Sequence, residues 1–118
     1  MIDRAAAVLR QGQRFLVTCH LNPDGDAIGS MLAAVHLLRD AGREAIPFHS
    51  EPVPGPYRFL PGAEDVTGDL GLEGPFDALV VVDVGERDRI PAQLPKAAEE
   101  AEVLVELLHT SDNNTAEL

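Results

Sequence analysis

The apolar run at residues 78–82 constrains the fold more than any other feature of the sequence. It reads Ala-Leu-Val-Val-Val and stands between Asp77 and Asp83. A short valine-rich run of this kind is typical of a β-strand. Because no polar residue alternates within it, it suits a strand covered on both faces, as in the centre of a parallel sheet. Residues 15–19 form a similar run, so we expect an α/β domain with an open parallel sheet and flanking helices.

Helices and an edge strand are predicted around these two runs. Apolar spacing indicates a first helix that ends near Arg10 and a second helix over residues 27–41, which Gly42 terminates. Residues 44–48 can form a further strand. Pro47 favours an edge position or a strand end, because proline donates no ladder hydrogen bond.

A long connection separates the predicted strand at residues 44–48 from the predicted strand at residues 78–82. Residues 50–74 are rich in proline and glycine, which predicts surface structure with at most one turn near residues 57–60. We expect a single, partial domain over residues 1–118.

Composition limits the classes of protein to which the chain can belong. Hydrophobic residues make up 45% of it, and 20 acidic residues outnumber 9 basic ones, for a net charge of −11. A core is therefore possible, whereas a surface that coats nucleic acid is not expected, and contact with nucleic acid must be local. No apolar run approaches the length of a membrane span, and no signal peptide is evident, which predicts a cytoplasmic protein without a membrane partner. Cys19 is the only cysteine; we expect it to be a buried apolar residue rather than a nucleophile.

The candidate chemistry lies at residues 20–26, between the first predicted strand and the second predicted helix. His20, Asp24 and Asp26 fall in this segment, at the kind of place where open α/β sheets bind ligands. A proline and a glycine indicate a tight turn, so the three side chains can converge, and nitrogen and oxygen ligands suit a divalent ion such as Mn²⁺. The alternative is that the aspartates only cap the helix, for which one would suffice.

Asp83 adds a carboxylate at the end of a different apolar strand. If the two strands are parallel neighbours, this carboxylate faces the same crevice as residues 20–26. The alternative for Asp83 is a solvated strand end.

These motifs resemble a known family. Residues 20–30 are similar to the first motif of the DHH phosphoesterases, and residues 77–90 are similar to the second. Residues 52–64 resemble the intervening loop of the nanoRNase/pAp phosphatase branch, bacterial enzymes that degrade very short oligonucleotides and dephosphorylate phosphoadenosine phosphate. The resemblance implies a short oligonucleotide or nucleotide substrate and a two-manganese site. Its implied metal ligands are His20, Asp24, Asp26 and Asp83, and the three aspartates are the implied catalytic residues.

The sequence departs from the family at the third motif, which reads Asp-His-His followed by a variable residue, Ser and Asn. The best alignment places Leu107 and Leu108 on the Asp and the first His, with His109 next. A metal ligand is therefore missing, and we interpret His109 as a polar residue that ends an apolar segment. The family's fourth motif and its second, nucleotide-gripping domain would lie beyond Leu118.

Residues 96–108 allow two interpretations. Ala97, Ala101, Leu104 and Leu108 lie at helical spacing, whereas the resemblance implies a strand at residues 103–105. We favour a helix that leads into a short strand.

Two functions follow from these observations and stay open. The first is the N-terminal catalytic part of a Mn²⁺-dependent phosphoesterase, which alone is weakly active or inactive and holds at most one well-bound ion. The second is a non-catalytic metal- or nucleotide-binding module. The intact first motif favours the former, and Leu107 with Leu108 favours the latter.

Overall fold

A computed structural model describes residues 2–20, 23–82 and 93–105 of the chain. These residues form an α/β fold, which confirms the predicted class. The helices and strands in chain order are α1 Ile2–Gln11, β1 Arg14–Cys19, α2 Gly25–Asp40, β2 Glu44–Pro47, β3 Ala78–Val82 and β4 Glu102–Val105.

The four strands form one parallel sheet in the order β2-β1-β3-β4. All five residues of β3 are buried, and β3 pairs with β1 from Phe15 opposite Ala78 to Cys19 opposite Val82. The central position predicted for this strand is therefore confirmed. The edge position predicted for the Pro47 strand is also confirmed, since β2 pairs only with β1 among the described strands.

The core explains why β1 and β3 show no polar alternation. Successive residues of these strands point to opposite faces of the sheet, and each face has its own apolar cluster. Phe15 and Val17 face α2 and pack with Ile28 and Met31. The other face packs Leu16 with Phe48, Phe76, Leu79, Val81 and Ala98.

Helix α2 begins two residues earlier than the apolar spacing predicts. The Asp24 side chain accepts a 2.9 Å hydrogen bond from the Ala27 N–H, so Asp24 is the N-cap and Gly25 is the first helical residue. Polar residues of the first turn carry no apolar signal, which is why the spacing alone misses the start. The helix ends where Gly42 was expected to end it, and Gly42 has a φ of 84°, which favours glycine.

The long connection lies along α2. It contains 3₁₀ turns at Gly55–Tyr57 and Ala63–Asp65. The predicted turn near residues 57–60 is present, since the Leu60 N–H donates to the Tyr57 carbonyl oxygen at 3.1 Å, whereas the turn at Ala63–Asp65 was not predicted. His36 of α2 hydrogen-bonds the Pro61 carbonyl oxygen at 2.9 Å, and Arg39 of α2 forms a 3.0 Å ion pair with Asp65. These contacts hold the connection against the helix that follows the first motif.

The connection also extends the edge of the sheet by one parallel bridge. Phe48 and Thr67 are bridge partners. The Thr67 N–H donates to the Pro47 carbonyl oxygen, and the His49 N–H donates to the Thr67 carbonyl oxygen, both at 3.0 Å.

The amino ends of β1 and β3 are joined through Asp77. One of its carboxylate oxygens accepts from the N–H groups of Gln13 and Arg14, at 2.6 and 3.0 Å. These two hydrogen bonds lower the pKa of Asp77 below its ordinary value of 3.8, and the bond from Gln13 has the larger effect. The Arg14 guanidinium in turn lies 4.4 Å from the centre of the Phe76 ring.

The last described segment follows the favoured interpretation of residues 96–108 in part. Lys96–Glu100 is a 3₁₀ turn rather than a longer helix, and it leads into β4 at Glu102–Val105. Asp83 and residues 106–118, which include His109 and the altered third motif, lie outside the described residues.

Candidate metal centre

The predicted metal ligands of the first motif stand at the carboxyl end of β1. His20 follows the strand directly, Asp24 caps α2, and Asp26 lies in the first turn of that helix. After β1 the chain continues to β2 on one side of β1 and then to β3 on the other side. Such a switch point between parallel strands is where open α/β sheets place ligands.

His20 and Asp24 are brought together across the turn. The His20 Nε2 atom lies 4.0 Å from Asp24 Oδ1, and the imidazole is 13% exposed while the Asp24 side chain is 66% exposed. A partly buried ring nitrogen thus faces a solvent-accessible carboxylate. Two ligand atoms about 2.1 Å from a shared divalent ion are at most about 4.2 Å apart, when they lie on opposite sides of it, so the 4.0 Å separation is just inside that limit.

Capping and ligation are compatible roles for Asp24. Its Oδ1 atom accepts the Ala27 N–H at 2.9 Å, as the capping alternative requires. A carboxylate has about four lone-pair sites, so one capping bond leaves room for an ion. The positive end of the α2 dipole also stabilises the charged carboxylate.

Asp26 is exposed and lies in the first turn of α2. Among residues 2–20, 23–82 and 93–105, no group of three or more His, Cys, Asp or Glu side chains is arranged to hold a metal ion. The described part of the centre is therefore the His20 and Asp24 pair. The metal-ligand roles of all four residues, His20, Asp24, Asp26 and Asp83, stay predictions.

The structure adds a residue that the sequence did not single out. His49 lies in the irregular segment after β2 and is only 2% exposed. Its Nε2 atom lies 2.8 Å from the His20 carbonyl oxygen, and its Nδ1 atom accepts the Glu51 N–H at 2.9 Å. No ligand spacing reveals it, because its partner is 29 positions away. The one available signal is that His49 follows β2 as His20 follows β1, so that both residues lie at the carboxyl ends of parallel strands.

Two further residues lie near the candidate site. Cys19 is fully buried in the cluster that faces α2, which confirms the predicted apolar environment. Tyr57 of the long connection packs against the start of α2, where a Cβ atom on Gly25 would lie 3.1 Å from its ring.

An open cavity of about 490 Å³ lies beside His49. Its lining includes His49 and three charged residues, Glu51, Arg58 and Glu64. This volume lies in the range of small-molecule sites. The carboxylates of Glu51 and Glu64 can accept hydrogen bonds from hydroxyl and amino groups of a ligand, and the Arg58 guanidinium can donate them.

No helix among the described residues is both long and apolar enough to cross a membrane.

Comparisons with known proteins connect the sequence and the fold to characterised chains. Over 80 residues, the chain is 36% identical to the bifunctional oligoribonuclease and PAP phosphatase NrnA of Thermus thermophilus. The aligned region covers 68% of this chain and 24% of that protein. An exopolyphosphatase-related protein from Bacteroides fragilis superposes with a TM-score of 0.72 at 20% identity, over 88% of this chain and 33% of the other. The chain thus spans about a quarter of NrnA and a third of the structural neighbour.

A family model matches most of the chain. The model describes the N-terminal domain of the DHH family, and it matches residues 14–116. Together with the similarity to NrnA, this confirms the predicted relationship to the oligoribonuclease and pAp phosphatase branch. The chain belongs to the DHH family, of which it carries the N-terminal domain.

Proposed function

We propose that this chain is the metal-binding part of a Mn²⁺-dependent phosphoesterase that acts on short oligonucleotides and on 3′-phosphoadenosine 5′-phosphate. The observation that carries the proposal is the His20 and Asp24 pair, 4.0 Å apart at the carboxyl end of a central parallel strand. Family membership and the similarity to NrnA support the reaction class and the substrates.

The residues of the chain hold and orient the reacting groups. His20 supplies a neutral nitrogen donor, and Asp24, Asp26 and Asp83 supply carboxylates, a mixed donor set that suits Mn²⁺. When bound, the metal lowers the pKa of a water molecule and neutralises charge on the phosphate. The cavity beside His49 has room for part of a nucleoside.

The departure at the third motif favours a second candidate function. With Leu107 and Leu108 in place of an Asp and a His of the family, one of two ions loses a ligand. The same crevice would then bind a metal ion or a nucleotide without turnover. The two functions differ in whether binding of substrate leads to hydrolysis.

The first prediction separates ligation by Asp24 from helix capping. Asparagine caps helices about as well as aspartate but brings no charge to a metal. We therefore expect Asp24→Asn to keep the melting temperature of the original chain and to lose Mn²⁺ binding. Calorimetric titration with MnCl₂ measures the affinity, and thermal unfolding followed by circular dichroism measures the stability.

The original chain should bind Mn²⁺ weakly and hold at most one well-occupied ion. Asp69→Asn is the control, since Asp69 is an exposed acid that hydrogen-bonds only within its own turn among the described contacts. Unchanged Mn²⁺ affinity in Asp24→Asn would contradict the assignment of Asp24, and two fully occupied sites in the original chain would contradict the effect assigned to the third motif.

A further inference from the structure

His49 joins the end of the edge strand to the first residue of the metal-binding turn. A backbone hydrogen bond between the two segments runs from the Phe48 N–H to the Val17 carbonyl oxygen at 2.8 Å. The His49 ring continues this pairing with a side chain, because its Nε2 atom reaches the His20 carbonyl oxygen at 2.8 Å. The main chain of His20 is therefore held on the β2 side at the point where β1 ends.

The partners of the His49 ring define its tautomer. A backbone N–H can only donate, so Nδ1, which takes the Glu51 N–H at 2.9 Å, is the acceptor. A carbonyl oxygen can only accept, so Nε2 carries the hydrogen that is donated to His20. Both nitrogens are used, and the ring is 2% exposed, so this neutral form is fixed in one orientation.

We propose that His49 is a positioning residue that orients the His20 imidazole for metal binding through the His20 main chain. This inference rests on the proposed function, in which His20 is a ligand. A fixed carbonyl oxygen fixes the peptide plane that follows His20 and restricts the direction of its side chain. Mutation of a residue that hydrogen-bonds and orients a metal ligand typically lowers the metal affinity by about 10- to 100-fold.

Two substitutions separate the two hydrogen bonds of His49. The amide nitrogen of glutamine can take the place of Nε2, so His49→Gln keeps a donor for the His20 carbonyl oxygen. The amide oxygen of asparagine can take the place of Nδ1, so His49→Asn keeps an acceptor for the Glu51 N–H and loses the bond to His20. Each variant loses one hydrogen bond between the side chain at position 49 and a main-chain group. The two variants therefore control for each other, since only His49→Asn loses the bond to His20.

The experiment measures Mn²⁺ affinity by calorimetry and observes the His20 ring by ¹H–¹³C NMR. We expect His49→Gln to bind Mn²⁺ within about threefold of the original chain and His49→Asn to bind about tenfold or more weakly. Without metal, the ring signals of His20 should be displaced in His49→Asn and retained in His49→Gln. Equal Mn²⁺ affinities in the two variants would overturn the inference.

The metal-free spectra keep this inference distinct from the proposed function. If the original chain binds no Mn²⁺, the proposed function fails, and the NMR signals of His20 alone decide whether His49 orients it. Displacement in His49→Asn only would support the positioning role. Identical His20 signals in both variants would overturn it.

Discussion

Two aspartates hold main-chain N–H groups at opposite ends of the central strands. Asp24, beyond the carboxyl end of β1, accepts from Ala27, and Asp77, before the amino end of β3, accepts from Gln13 and Arg14. Both arrangements place a carboxylate where unpaired N–H groups begin a segment of regular structure. Only Asp24 lies at the carboxyl ends of the strands, where a parallel sheet binds ligands. The same kind of hydrogen bond therefore lies at the candidate site in the case of Asp24 and supports only the fold in the case of Asp77.

The second prediction concerns Asp77 and pH. Its folded-state pKa is lowered, so the charged carboxylate stabilises the fold above its ordinary pKa of 3.8, and this contribution is lost as the pH falls through the lowered value. Near pH 7, we expect Asp77→Asn to lower the unfolding free energy by less than about 1 kcal/mol, because the side chain is exposed.

Chemical denaturation at several pH values tests this expectation. The difference between the original chain and Asp77→Asn should be constant from pH 7 to about 5 and should shrink below pH 4, as Asp77 becomes protonated. A difference that is unchanged at pH 3 would show that the charge of Asp77 does not contribute.

At the scale of elements, the joint between α1 and β1 is closely packed at Gly12. A Cβ atom at this position would lie 2.8 Å from both the Val8 carbonyl oxygen and the Phe15 ring. The end of α1 and the start of β1 therefore approach each other at a distance that only glycine permits. Gly29, inside α2, has no described atom within 4 Å of the corresponding position.

The third prediction compares these two glycines. Gly12→Ala should lower the unfolding free energy by about 1–3 kcal/mol, because the new methyl group overpacks the joint. Gly29→Ala should raise it by about 0.5–1 kcal/mol, since alanine favours the helical backbone. Urea denaturation measures both changes. Equal effects of the same sign at the two positions would contradict the packing described at Gly12.

Most elements were predictable because their signals are local. The apolar runs of β1 and β3 indicate burial on both faces, and Pro47 indicates an edge. The early start of α2 was not predicted, since it depends on the Asp24 side chain rather than on apolar spacing. The contact of His49 with the candidate site could not be identified from the sequence. Its partner is the main-chain carbonyl oxygen of His20, and every residue type has such a carbonyl group.

At the scale of the whole molecule, the proposed function implies a two-metal site, for which the sequence offers fewer ligands than the motifs of the family. The sheet brings His20 to Asp24, and the sequence offers Leu107 and Leu108 where the family has an Asp and a His. A two-metal mechanism uses one ion for the nucleophile and the other for the leaving oxygen. Loss of one ion removes several kcal/mol of transition-state stabilisation, and each ~1.4 kcal/mol is a factor of ten in rate.

The fourth prediction is that the 118-residue chain hydrolyses pApA and 3′-phosphoadenosine 5′-phosphate barely above background in excess Mn²⁺. Release of AMP or phosphate over hours measures the rate, with Asp83→Ala as the control. If the original chain turns over these substrates within seconds and the control does not, the interpretation of Leu107 and Leu108 is wrong.

The bridge between Phe48 and Thr67 has a consequence for solubility. Edge strands expose N–H and C=O groups on which a strand of another molecule can assemble, and this is a common start of aggregation. In β2, Pro47 has no N–H group, and its carbonyl oxygen already accepts from Thr67. The N–H of His49 is bound to the same residue. The end of the edge strand nearest the metal centre is thus closed to strand addition, and the segment that closes it belongs to the connection held along α2.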